Sequence, residues 1–246
     1  MNWHDLLPVV AAFFAGAMNS VAGGGSFLSF PALVFAGVPP IPANATNNAA
    51  MWVGTFGSAR AYWPDVKPHK RLLYSVLAVS SIGALIGAVL LLLTPAAAFN
   101  RLIPWLLLFA TVVFALSPLL TKSHDGDPHH QGWQLIVQFF VSIYGGYFGA
   151  GMGILMLAVL SFSGLPSFNA TNGMKNVLSV AINGVALVPF VVARIVDWPF
   201  AVLMAVTALL GGYMGAKFFR RVPGNVARTI VIAIGVTMTA VFFFRS

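Results

Sequence analysis

The sequence predicts an all-α polytopic membrane protein made of two inverted repeats, each a broken or re-entrant helix hairpin followed by three transmembrane helices. Three observations lead there. The first is composition: the chain is 59% hydrophobic and 7% charged, where soluble domains are about a quarter charged. A soluble fold of 246 residues could not hide so much apolar surface, and the excess would aggregate. The second is a duplication. Ala22-Gly23-Gly24-Gly25-Ser26, an apolar run to Gly37 and Asn44-Ala45-Thr46-Asn47-Asn48 are answered by Gly149-Ala150-Gly151-Met152-Gly153, an apolar run to Gly164 and Asn169-Ala170-Thr171-Asn172-Gly173. Gly83, Gly87 and Pro95 recur 128 positions later as Gly211, Gly215 and Pro223. The third is the placement of Lys and Arg, which fixes the parity of the crossings.

Residues 5–38 are apolar apart from Asn19, Ser20, Ser26 and Ser29. As one helix they would be about 51 Å long, well beyond the roughly 30 Å hydrocarbon core. Three glycines in the middle favour a break, so two short helices are expected near 5–20 and 26–37. Such a break survives at membrane depth only where protein or a watery cavity satisfies the backbone. A helix near 43–62 follows, with Asn44 or Thr46 as the expected N-cap and its free N–H groups facing outward. A basic loop over 63–71 leads to spans near 72–93 and 99–120. Residues 121–132 (TKSHDGDPHHQG) form the long polar linker, dividing a repeat over 1–120 from one over 133–246. The second repeat breaks at Gly149–Gly153 and continues in helices near 170–192, 198–219 and 224–244. The N-terminus is expected to be retained, because no Lys or Arg precedes Arg60 and a signal peptide needs a basic start.

If each broken stretch is one span, seven basic residues fall on one face and five on the other. If each is a hairpin, Arg60, Lys67, Lys70, Arg71, Lys122, Lys217, Arg220, Arg221 and Arg228 gather on one face against Arg101, Arg194 and Arg245. Nine to three obeys the positive-inside rule. Five elements per half also makes the repeats inverted, the arrangement used for alternating access. Both termini are then outside and the basic loops cytoplasmic. The net charge of +8 therefore reads as topology, not as nucleic-acid binding.

The chemistry concentrates at the repeated motifs. Lys175 sits a few residues into an apolar helix, where a cation costs roughly 2.5–3.5 kcal/mol at the bilayer centre. It is either an anion-binding ammonium or a lysine snorkelling to the interface; its counterpart Ala50 is neutral. Asn44, Thr46, Asn47, Asn48, Asn169, Thr171, Asn172, Asn176 and Asn183 offer uncharged hydrogen bonds of the kind an oxyanion needs, or else tie helices together. Gly24, Gly25, Ser26, Gly151 and Gly153 belong to the hairpin tips, where bare N–H groups could help hold an anion. No Gly-Lys-Ser/Thr follows the glycines, so nucleotide binding is not expected. With no cysteine, isolated loop histidines and no Glu, neither a metal, a cofactor nor an enzymatic acid–base pair is expected. The GxxxG spacings at Gly83/Gly87 and Gly211/Gly215 read as tight helix packing and permit a homodimer.

Gly-Gly-Gly-Ser followed by Phe-Pro-Ala-Leu, Gly149-Ala-Gly-Met-Gly153, and Ala170-Thr171-Asn172 with Lys175, Asn176 and Asn183 resemble the TauE/SafE sulfite exporter family over about residues 10–242. The resemblance implies a carrier, in a bacterial or archaeal cytoplasmic membrane, for sulfur-containing anions such as sulfite or sulfoacetate. It strengthens the assignment of Lys175, Asn176 and Asn183. Asn44, Asn47 and Asn48 stand where the family more usually has small or hydroxyl residues, which leaves the identity of the anion open. The expected partners are a small anion and the lipid bilayer. The alternative is a passive anion channel, or a membrane subunit that hands substrate to a partner protein.

Overall fold

The computed structural model describes residues 3–21, 23–120, 131–218 and 224–245. Its helices are α1 (Trp3–Val21), α2 (Ser26–Phe35), α3 (Pro40–Ala61), α4 (Trp63–Val66), a 3-10 turn (Lys67–His69), α5 (Lys70–Leu93), α6 (Ala96–Leu120), α7 (Gln131–Tyr147), α8 (Met152–Leu160), α9 (Phe168–Val192), α10 (Trp198–Phe218) and α11 (Gly224–Arg245). The protein is an all-α polytopic membrane protein. Among the described residues, four helical stretches are long and apolar enough to cross a bilayer: Trp63–Leu93, Ala96–Val113, Phe168–Val192 and Trp198–Gly215. Large apolar side chains on the outside, such as Leu93, Val192 and Phe244 at 74%, 77% and 91% exposure, suit a lipid solvent and would be a liability in water. Most of the expected linker, 121–130, lies outside the described residues, as do Arg220, Arg221 and Pro223.

Both glycine stretches break the helix as their composition requires. Gly23, Gly24, Gly149 and Gly151 have φ of 79°, 86°, 77° and 76°, a region that costs any residue with a Cβ. The chain reverses at each break. Gly25 lies against the backbone of Ala15. At the far end of the second hairpin, the Trp133 and Phe162 rings meet at 5.5 Å and the Gln134 amide donates to the Phe162 carbonyl. With ten and nine residues, α2 and α8 are about 15 Å long, half the hydrocarbon thickness.

The Asn/Thr cluster does not start α3. The helix begins at Pro40, behind Pro39 as N-cap, so Asn44 and Thr46 lie inside it and cap nothing. The physical reason is that proline fits the first helical turn, where its missing N–H costs no bond and its fixed φ is already helical. In the second half Ser167 caps α9, its side chain accepting from the Ala170 N–H.

Packing interlocks the two halves. α1 lies along α10 and α7 along α5, the most extensive helix pairs among the described residues. α10 also rests on α3, and α5 on α9, so each repeat is completed by a helix from the other. Glycines let the backbones meet. A Cβ on Gly211 or Gly83 would collide with the carbonyl of Phe13 or Phe139, and one on Gly215 or Gly87 with the backbone of Ala17 or Ile143. Residue numbers rise together along both seams, so the paired helices run parallel. α3 and α9 cross at the centre in opposite directions: Asn48 bonds Asn183 near one end, and Gly173 meets Tyr62 near the other.

Candidate substrate-binding site

A cavity of about 50 Å³ lies where the two hairpin tips meet α3 and α9. The tips touch: Gly153 Cα is 3.4 Å from where a Cβ on Gly23 would stand. Of the residues lining the cavity, Lys175 is the one ionisable side chain. It is 2% exposed, so it does not snorkel to a surface. Its stem passes over Gly153, where an added Cβ would lie 3.5 Å from Lys175 Cδ. Its ammonium donates to the backbone oxygen of Asn19 at 3.3 Å, one bond for a group with three donors.

Amides and hydroxyls make up the rest of the polar wall. The Asn47 amide donates to Ser26 Oγ at 3.1 Å and accepts from Ser29 at 2.5 Å, binding α3 to the first turn of α2. Asn48 donates to Asn183 at 3.2 Å, joining α3 to α9. Asn19 accepts the Gly25 N–H at 2.8 Å, which fixes the first tip. Two wall residues hold buried polar atoms without a partner, Asn176 Nδ2 and Asn48 Oδ1. Such atoms cost about 1–3 kcal/mol each.

The expected site residues divide into two groups. Lys175, Asn176, Asn183, Asn47, Asn48, Gly24, Ser26 and Gly153 line the cavity. The others do not. Asn44 donates to the Tyr147 carbonyl at 3.0 Å, and Thr46 accepts the Asp197 N–H at 2.9 Å. Thr171 donates to the Ser167 carbonyl, and Asn169 is exposed in the first turn of α9. Asn172 is buried with its Oδ1 unpartnered, away from the cavity wall. Gly25 and Gly151 are the N-caps of α2 and α8, one step behind it. The helix starts aimed at the cavity are therefore those of the short hairpin helices, through Ser26 and Gly153. Those of α3 and α9 lie elsewhere. Helix starts carry unpaired N–H groups and the positive end of the dipole.

The sequence reading omitted Asn19, Met51, Thr55, Phe148, Met152 and Ser179, all of which line the cavity. Helical periodicity could have supplied two of them. Thr55 stands two turns beyond Asn48, and Ser179 one turn beyond Lys175, on the face each already occupies. Asn19 carried no such signal, because only the chain reversal places its backbone against Lys175.

Residues 8–242 match the family model described as sulfite exporter TauE/SafE. Relatives are similar in sequence over most of their length. A probable membrane transporter protein of Haemophilus influenzae is 26% identical over 96% of this chain and 94% of its own. The probable membrane transporter protein ORF9 of a Sinorhizobium species is 26% identical over 93% and 88%. The probable membrane transporter protein YfcA of Escherichia coli K12 is 28% identical over 96% and 88%. No solved structure matches the chain. With nearly its whole length covered by the family model, the chain belongs to the TauE/SafE sulfite exporter family.

Proposed function

We propose that this protein is a secondary carrier that exports a small sulfur-containing anion, such as sulfite or an organosulfonate, by alternating access. The observation that carries this reading is Lys175: a buried cation in a small cavity whose wall contains no acid. A lone charge out of water is costly, and an anion is what balances it. The Ser26 and Gly153 helix starts add positive potential on the same side, and the amides of Asn176 and Asn183 supply directional bonds.

The inverted-repeat reading is part of this proposal and rests on the antiparallel crossing of α3 and α9. With an odd number of elements per half, equivalent helices run in opposite directions; with four spans per half they would run parallel. In this reading the basic loops face the cytoplasm of a bacterium or archaeon, and both termini lie outside. Alternating access exchanges the packing of the two halves around the crossing, with the α1–α2 and α7–α8 tips as the gates.

Thermal stabilisation of the purified protein by sulfite, thiosulfate, sulfate, sulfoacetate, taurine and phosphate tests it, with Lys175→Ala alongside. A ligand at 100 times its dissociation constant stabilises by about 2.7 kcal/mol. The expected result is a shift with at least one sulfur anion that disappears in the variant. A shift that persists in Lys175→Ala would remove Lys175 from the site, and a flat panel would reject the substrate class.

A further inference from the structure

The wall of the central cavity specifies the charge state of its ligand. We infer that the site takes a singly charged oxyanion, hydrogen sulfite in the sulfur series, and that it rejects the corresponding dianion. The inference rests on the sulfur-anion reading above.

Two observations carry it. First, charge: Lys175 is the one ionisable group in the wall, while α1, α2, α3 and α8 contribute amides, hydroxyls, glycine and apolar groups. One positive charge balances one negative charge. A dianion would leave a full charge uncompensated in a buried site. Second, size: about 50 Å³ is room for roughly four water-sized groups. Hydrogen sulfite has one sulfur and three oxygens, and a two-carbon sulfonate is twice as large.

The same arithmetic accounts for coupling without a carboxylate relay. Hydrogen sulfite enters from one side with its proton. On the other side it dissociates in water to sulfite and a proton as that side's pH dictates. One proton travels with each anion, and no bond within the protein forms or breaks.

The experiment compares sulfite with chlorate on the intact protein. Chlorate has the same pyramidal shape and a single charge, and it does not protonate near neutrality. It therefore reports any titration of Lys175 without titrating itself. Dissociation constants are measured for both ions from pH 6 to 9, and the sulfite value is divided by the chlorate value at each pH. The expected ratio is level while hydrogen sulfite predominates and then rises about tenfold per pH unit once the dianion takes over. A ratio that stays level or falls above neutral pH means that the dianion binds, and overturns the inference while leaving the sulfur-anion reading intact. Absence of sulfite binding at every pH overturns that reading, and this inference with it.

Discussion

The two halves share a backbone plan and differ in chemistry. α3 and α9 hold equivalent places, each entering the cavity beside a glycine-broken hairpin and each leaning on a helix from the other half, α10 and α5 respectively. α9 brings Lys175 to the cavity, while α3 brings Asn47 and Asn48 and has Ala50 at the matching position. The seams differ in the same sense. Between α5 and α7, Gln138 donates across the seam to Ser80 at 3.1 Å and along its own helix to Ser142 at 3.2 Å. Between α10 and α1, the glycine contacts set the register, and the corresponding positions are Ala12, Ala208 and Gly16. What is duplicated is the path of the chain. What is not duplicated is charge, because a second buried cation would double the desolvation cost.

Moving the charge is the strongest way to break that comparison. Ala50 is 0% exposed within the main apolar cluster and does not line the cavity. Ala50→Lys combined with Lys175→Met is therefore expected to destabilise the protein by roughly 3–5 kcal/mol, through an unpaired buried cation, and to restore no anion binding. Thermal unfolding and a binding titration measure both, and restored binding would mean that α3 and α9 are interchangeable.

Substitution in the seams sharpens the shared part. Gly83→Ala and Gly211→Ala each place a Cβ against a backbone carbonyl and force two helices apart, at about 1–3 kcal/mol each. The two losses should be alike. Gly57→Ala is the control, since its Cβ would meet Leu209 Cδ1 at an ordinary 3.5 Å. A large loss there, or a loss confined to one of the two seams, would contradict the matched packing.

The smallest effect is expected where the seams differ. Gln138 is 1% exposed, and its Oε1 has no partner. Gln138→Leu removes two hydrogen bonds together with one unsatisfied buried acceptor, and these oppose each other. The expected change is under about 1 kcal/mol, read from the same unfolding assay. A loss several times larger would show that the polar cluster holds the seam.

Much of this was legible in order along the chain. The breaks at Gly23–Gly25 and Gly149–Gly153 follow from glycine content within stretches too long to cross as single helices. Lys175 stood out because a lone cation in an apolar helix is rare. The start of α3 was misplaced because two signals compete there, the capping preference of Asn44 and Thr46 and the first-turn preference of Pro40. Proline prevails, and the asparagines become interior residues: Asn44 holds the Tyr147 carbonyl, while Asn47 and Asn48 reach the cavity. The division of one Asn/Thr cluster between wall and scaffold depends on helix rotation, which a run of five adjacent polar residues does not reveal.

Composition and repetition by themselves determined the class, the duplication and the position of Lys175, the one buried cation among the described residues. Hydropathy and glycine conformation act locally, and a linear chain displays them. The tertiary structure alone decided that α10 and α5 cross to the opposite half, that the helix starts at Ser26 and Gly153 line the cavity, and that Asn19 meets Lys175 across 156 residues of sequence. Those outcomes depend on which backbones can approach closely once every helix competes for the same small volume, and no local pattern encodes that competition.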